Sequence, residues 1–170
     1  MGAASELVDQ LQDHDATVAT AESLTGGRLA ARLTEAPGSS AVYLGGVVTY
    51  ATEAKRGVLD VPEEVVERYG VISEECARAM AEGARRLFGS TYALSTTGVA
   101  GPDTQEDKPV GTVFVGLAGP DGTSVLSLDL DGDRQSVQED TVAAAVAALA
   151  DQVATAKDLV GPDAEEPVLG

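Results

Sequence analysis

The stretch TVATAESLTGGRLAARL, residues 17–33, changes character twice, and its reading decides the fold. Residues 17–22 are small and β-branched, the composition of a short strand. A helix-like pattern runs over 25–35 and ends before APGSS. Between them stand Ser23, Leu24, Thr25, Gly26 and Gly27. On a structural reading, Ser23 or Thr25 caps the helix and the two glycines allow close packing beneath a sheet. On a functional reading, Ser23 sits where ligands of open α/β sheets bind, at a strand's carboxyl end and beside helix N–H groups able to hold an anion. The turn is neither a G-x-S-x-G elbow nor a P-loop, which leaves those two classes without support.

The same alternation continues on both sides. Residues 3–13 read as a helix, YLGGVVTYA (43–51) as a buried strand, TEAKRGVLD as a helical turn, and VPEEVVERYG as a helix between Pro62 and Gly70. Residues 73–88 form the clearest amphipathic helix, with Cys76, Met80, Ala84 and Leu87 on one face. YALSTT (92–97) is a strand, 98–109 a polar loop, and GTVFVGLAG and TSVLSLDL are strands joined at Asp121-Gly122. From Arg134 to about Lys157 one helix face repeats as Val137, Thr141, Ala145, Leu149, Val153. Helices alternate with strands early and a hairpin precedes the last helix. That order predicts a three-layer α/β/α sandwich with a mixed, mostly parallel five-stranded sheet. Residues 1–160 form the single expected domain, and the acidic segment 161–170 reads as a disordered tail.

Composition narrows the function. The chain has 170 residues, 11 basic against 28 acidic, for a formal charge of −17. Such a surface repels nucleic-acid phosphates and anionic lipid, so neither is an expected partner. It suits a host with concentrated salt, where self-repulsion is screened. No apolar run approaches the ~18 residues of a spanning helix, and the polar start MGAASELVDQ lacks a signal-peptide pattern. A cytoplasmic location is expected. Cys76 is alone and His14 is the single histidine, which gives no metal-ligand spacing and no Ser-His-Asp arrangement.

Three further segments carry chemistry. Tyr50 ends a strand and Lys55, one of three lysines, follows it. Lys55 is either a surface lysine lying over the tyrosine or a desolvated one able to act as a base. A serine nucleophile in this chain needs Lys or Tyr to accept its proton. Thr97 and Gly98 follow another strand and open toward the same sheet edge if the two strands are parallel; Lys108, in the loop beyond, is expected in a local salt bridge. Asp133 is a good N-cap, and Arg134 beside it forms either an anion site or a helix-start salt bridge.

Taken together, TAESLTGG, APGSSAVYLGGVVTYATEAK, GVISEECARAMAEGA, TTGVAGPD…KPVGTV and GDR resemble, in order over about residues 17–150, the C-terminal domain of the CinA competence/damage-inducible family. Stand-alone relatives of that domain are nicotinamide-nucleotide amidohydrolases. The resemblance implies hydrolysis of nicotinamide mononucleotide to nicotinic acid mononucleotide and ammonia, a step of pyridine-nucleotide salvage, with no metal and no cofactor. It places the nucleophile at Ser23 and its assistants at Tyr50 and Lys55. Thr25, Gly26, Gly27, Thr97, Gly98 and Arg134 are the implied substrate contacts, with oxyanion donors at Thr25 to Gly27 or at Gly98. Leu24 stands where the family usually has Cys. The larger family members carry a further N-terminal domain, for which this chain is too short, and they self-associate, so a homodimer or larger assembly is expected. Two alternatives stay beside this reading: a catalytically silent nucleotide-binding module, and an amidase for a different small amide.

Overall fold

A computed structural model describes residues 2–159. The elements run α1 (Ala3–Asp13), β1 (Val18–Glu22), α2 (Arg28–Glu35), β2 (Tyr43–Val48), α3 (Thr52–Leu59) and α4 (Glu63–Tyr69). They continue as α5 (Glu74–Phe88), β3 (Tyr92–Gly98), β4 (Thr112–Gly119), β5 (Gly122–Asp129) and α6 (Arg134–Leu159). The strands form one sheet in the order β2-β1-β3-β4-β5. β1 pairs in parallel with β2 and β3, whereas β4 is antiparallel to both β3 and β5. Four strands therefore share a direction and β4 opposes them, which is the expected mixed sheet. The tail expected at 161–170 lies outside the described residues.

Each face of the sheet has its own apolar layer. On one side Leu7 and Leu11 of α1, Leu29 and Leu33 of α2, and Leu149 of α6 pack on Leu94, Val113 and Val115. On the other, Leu59, Ile72, Cys76, Met80 and Ala84 pack on Ala21, Ala93 and Ala118. Each fully buried Leu removes enough apolar surface from water to stabilise the fold by roughly 1.5–3 kcal/mol. The four-residue repeat of α6 is the face the sheet covers: Val137, Thr141, Ala145, Leu149 and Val153 are all fully buried. Burial on both faces is why β1 and β3 read as near-continuous small and apolar runs rather than as alternating ones.

Four local expectations change. Helix α2 starts at Arg28 rather than 25, because Gly26 (φ 56) and Gly27 (φ 101) hold left-handed backbone that cannot be helical. No side chain of the turn caps it; the carboxylate of Glu22 does, accepting from the Leu29 and Ala30 N–H groups at 2.8 and 3.2 Å. The hairpin turns at Pro120-Asp121, with Gly119 and Gly122 as its closing pair. Leu87 is exposed, so the buried face of α5 ends at Ala84. Asp133 does cap α6, accepting from the Ser136 N–H at 2.9 Å.

The register brings the carboxyl ends of three strands to one level. Glu22 pairs with Val48 on one side and Thr96 on the other. Residues 23, 49–50 and 97–98 therefore leave the sheet side by side, and the long loop from 99 to 111 closes over them.

Candidate active site

Ser23 is the first residue past β1, and its N–H donates to the Thr96 carbonyl at 3.0 Å, which continues the sheet by one step. Lys55 lies one turn into α3, 1% exposed, the largest fully buried side chain among the described residues. Its Nζ is 2.9 Å from Ser23 Oγ, 2.7 Å from the Thr49 carbonyl and 3.1 Å from the Tyr50 carbonyl. Two carbonyls accept two N–H bonds. The third position holds a hydroxyl, which can accept from an ammonium or donate to an amine. The same contacts thus serve both protonation states of the lysine.

Burial lowers the Lys55 pKa, because removing an ammonium from water disfavours the charged form. Negative charge at Cys76 and Glu106 acts in the opposite sense, with smaller effect. Cys76 supplies little of it, since burial pushes its thiol up to about 11. Among the described residues the one ion pair is Arg56–Glu63, so Lys55 has no carboxylate partner. Lys108, expected in a local salt bridge, makes none among the described residues. A lysine that is desolvated and unpaired is the sort that gives up its proton.

Of the two readings of Lys55, the desolvated one describes the structure. Tyr50, the other assistant the resemblance implies, does not lie between Lys55 and Ser23. Those two groups touch directly, while the Tyr50 hydroxyl accepts from Arg134 Nη2 at 3.0 Å and the ring is 61% exposed. Arg134 Nη1 donates to the Gly101 carbonyl at 2.6 Å, and the side chain forms no helix-start salt bridge. Arg134 thereby joins the start of α6, the loop after β3 and the segment between β2 and α3 around one opening.

That opening leads to a cleft of about 350 Å³, of the size that takes a small molecule. Ser23, Leu24, Tyr50, Lys55, Thr97, Gly98 and Arg134 line it; Thr25, Gly26 and Gly27 do not. Thr25 is buried and bonds inward to Glu22 and Thr96, and the Gly26 N–H is taken by the Ser23 carbonyl at 3.1 Å. These three residues shape the turn and lie outside the lining of the cleft. The same Ser23–Gly26 bond directs the Ser23 carbonyl at Gly26, so the N–H of the trans peptide it shares with Leu24 faces away from Gly26. Among the described residues the Leu24 and Ala100 N–H groups meet no protein acceptor, and both residues line the cleft. Of the oxyanion donors expected at Thr25 to Gly27, the Gly26 N–H is already taken and none of the three residues lines the cleft. Gly98 is required by closeness: a Cβ there would fall 2.5 Å from the Thr112 carbonyl oxygen. Thr97 lines the cleft, while its hydroxyl is spent on the Val71 carbonyl at 2.6 Å.

Two carboxylates beside the cleft, Glu22 and Glu106, stand outside the sequence reading. Glu22 is buried at the root of the nucleophile turn, and the readable signal was an acid ending an otherwise apolar strand. Glu106 accepts from the Val71 and Ile72 N–H groups at 3.1 and 2.8 Å, so it ties the long loop to the segment before α5 and fixes the far wall. Within TQEDK nothing in the sequence separates it from its neighbours. Among the described residues no three His, Cys, Asp or Glu side chains converge as a metal site.

Comparison with known proteins agrees with this fold. Residues 2–153 match the family profile described as CinA C-terminal domain. A CinA-like protein of Frankia casuarinae is 53% identical over 136 residues, 80% of this chain and 31% of that protein. A CinA-like protein of Geotalea uraniireducens is 49% identical over 123 residues, 72% of this chain and 29% of that protein. The chain thus spans about a third of the length of these curated relatives. Among solved structures, a CinA superfamily protein from Klebsiella pneumoniae superposes with a TM-score of 0.88 at 34% identity, covering 90% of this chain and 96% of that one. A competence/damage-inducible protein from Agrobacterium tumefaciens gives 0.82 at 35% identity, covering 88% and 94%.

Proposed function

The chain belongs to the CinA C-terminal domain family, and from that premise we propose that it is a serine amidohydrolase acting on nicotinamide mononucleotide. The observation that carries the reading is the direct 2.9 Å contact between Lys55 Nζ and Ser23 Oγ inside a cleft, with the two other lysine contacts taken by carbonyls.

The reaction runs in two halves. Neutral Lys55 takes the hydroxyl proton as Ser23 Oγ bonds to the carboxamide carbon. The developing oxyanion is met by the Leu24 and Ala100 N–H groups, each donor of this type contributing about 10²–10³ in rate. The Lys55 ammonium then returns the proton to the departing nitrogen, and ammonia leaves an ester on Ser23. Water, deprotonated by Lys55, attacks that ester. The carboxylic acid is released and the hydroxyl is restored. Arg134 spends two of its five N–H donors on Tyr50 and Gly101 and offers the rest to the nucleotide phosphate. Self-association and a cytoplasmic setting belong to the same proposal.

The test is ammonia release from nicotinamide mononucleotide by purified protein in molar salt. Release by the native chain and none by Ser23→Ala supports the reading. Leu24 on the cleft wall gives a second reading its footing. No release from this nucleotide but release from another small amide would keep the dyad and change the acyl group. Absence of release from any amide would leave a silent binding module.

A further inference from the structure

We propose that Glu22 is a positioning residue, holding Ser23 at the angle from which it reaches both Lys55 and a substrate carbonyl. This rests on reading Ser23 as the nucleophile. Glu22 is 1% exposed and makes no ion pair among the described residues, yet its two carboxylate oxygens accept three hydrogen bonds. Oε1 accepts from the Thr25 hydroxyl at 2.7 Å and the Leu29 N–H at 2.8 Å; Oε2 accepts from the Ala30 N–H at 3.2 Å. One carboxylate therefore ties the end of β1 to the start of α2, and the 23–27 turn is a closed loop strung between the two.

The hydroxyls give this arrangement a direction. Thr25 Oγ1 has one hydrogen and gives it to Glu22, so the Thr96 hydroxyl, 2.8 Å away, must donate to Thr25. That leaves Thr96 Oγ1 as an acceptor, and the Ser23 N–H approaches it at 3.4 Å while bonding mainly to the Thr96 carbonyl. The chain of donors runs from the Ser23 amide through two threonines and ends on the carboxylate, a group with only acceptors to offer. Glu22 also reaches the base through its backbone. Its carbonyl accepts from the Thr49 N–H at 2.9 Å, and the Thr49 carbonyl is the shortest contact of Lys55. Nucleophile and base are thus both hung from one residue. An ordinary helix cap needs only the bonds to Leu29 and Ala30; the threonine chain beneath Ser23 is the surplus that points to positioning.

The experiment measures the labelling rate of Ser23 by a fluorophosphonate, a serine-directed reagent that needs no knowledge of the natural substrate. Thermal melts and the kcat and KM of ammonia release accompany it. Glu22→Gln puts an amide donor against the helix N–H groups, and Thr25→Val cuts the hydroxyl chain while leaving the cap. We expect labelling and kcat to fall about tenfold or more in Glu22→Gln and about threefold or more in Thr25→Val, with KM within about twofold of native. If both variants melt cooperatively and label within about twofold of native, Glu22 is a helix cap alone and the proposal is overturned. Should Glu22→Gln fail to fold, Thr25→Val decides by the same thresholds. Ser23→Ala separates the two ideas: continued labelling there removes the nucleophile reading itself, whatever Glu22 does.

Discussion

Lys55 Nζ and Ser23 Oγ, 32 residues apart in the chain, meet at 2.9 Å with no group between them. A lysine buried without a carboxylate is a costly arrangement, and here it stands against the hydroxyl it would deprotonate. Lys55→Met keeps the length and apolar stem but removes the base. It is expected to retain a cooperative melt while ammonia release falls by about 10²–10⁴, the usual range for losing a positioned general base. Retained turnover would end the dyad reading.

The pH profile follows from the direction of the Lys55 shift. Activity needs the neutral amine, so kcat/KM rises with pH and levels off below the ordinary lysine range, because burial has lowered this pKa. Stability follows the same sign. The unfolded chain binds this proton more readily than the folded one, so stability from this group is greatest above the unfolded value. It is lost as pH falls from there through the lowered folded value. A kcat/KM profile still climbing at the ordinary lysine pKa would contradict the burial argument.

Arg134→Gln removes the charge while leaving an amide near Tyr50 and Gly101. Losing a charge-assisted bond of about 1.5–3 kcal/mol raises KM for a phosphorylated substrate by about 10–150-fold. A neutral nucleoside amide should be handled equally by both proteins. Comparing KM for the two substrates checks it.

Two glycines separate packing from propensity. Gly98→Ala forces a Cβ to within 2.5 Å of the Thr112 carbonyl, so a loss of roughly 1–3 kcal/mol is expected in thermal melts. Gly57→Ala, inside α3 with nothing within 4 Å of the added atom, is expected to stabilise by about 0.5–1 kcal/mol.

The formal charge of −17 is relieved by one ion pair, Arg56–Glu63, among the described residues. Screening shortens to about 3 Å in 1 M salt, so self-repulsion weakens. A gain of about 1–2 kcal/mol would raise Tm by about 2–8 °C in molar potassium chloride. An unchanged melt would detach the acidic surface from any salt requirement.

The sequence by itself determined the architecture and singled out the two residues proposed to react. Local periodicity is set by which face a residue buries, so the α6 repeat, the β1 and β3 runs and the Asp133 cap could be read directly. Ser23 and Lys55 were legible because a hydroxyl at a strand's end and a scarce lysine are unusual in so acidic a chain. Only the tertiary structure decided how those groups divide the work. Glu22 rather than Thr25 caps α2, the Gly26 N–H is already spent on the Ser23 carbonyl, and the Tyr50 hydroxyl meets Arg134 rather than Ser23 or Lys55. The reason is physical: a hydrogen bond is settled by direction within a few tenths of an ångström. In this fold those directions depend on parallel strands whose register is fixed by residues tens of positions apart.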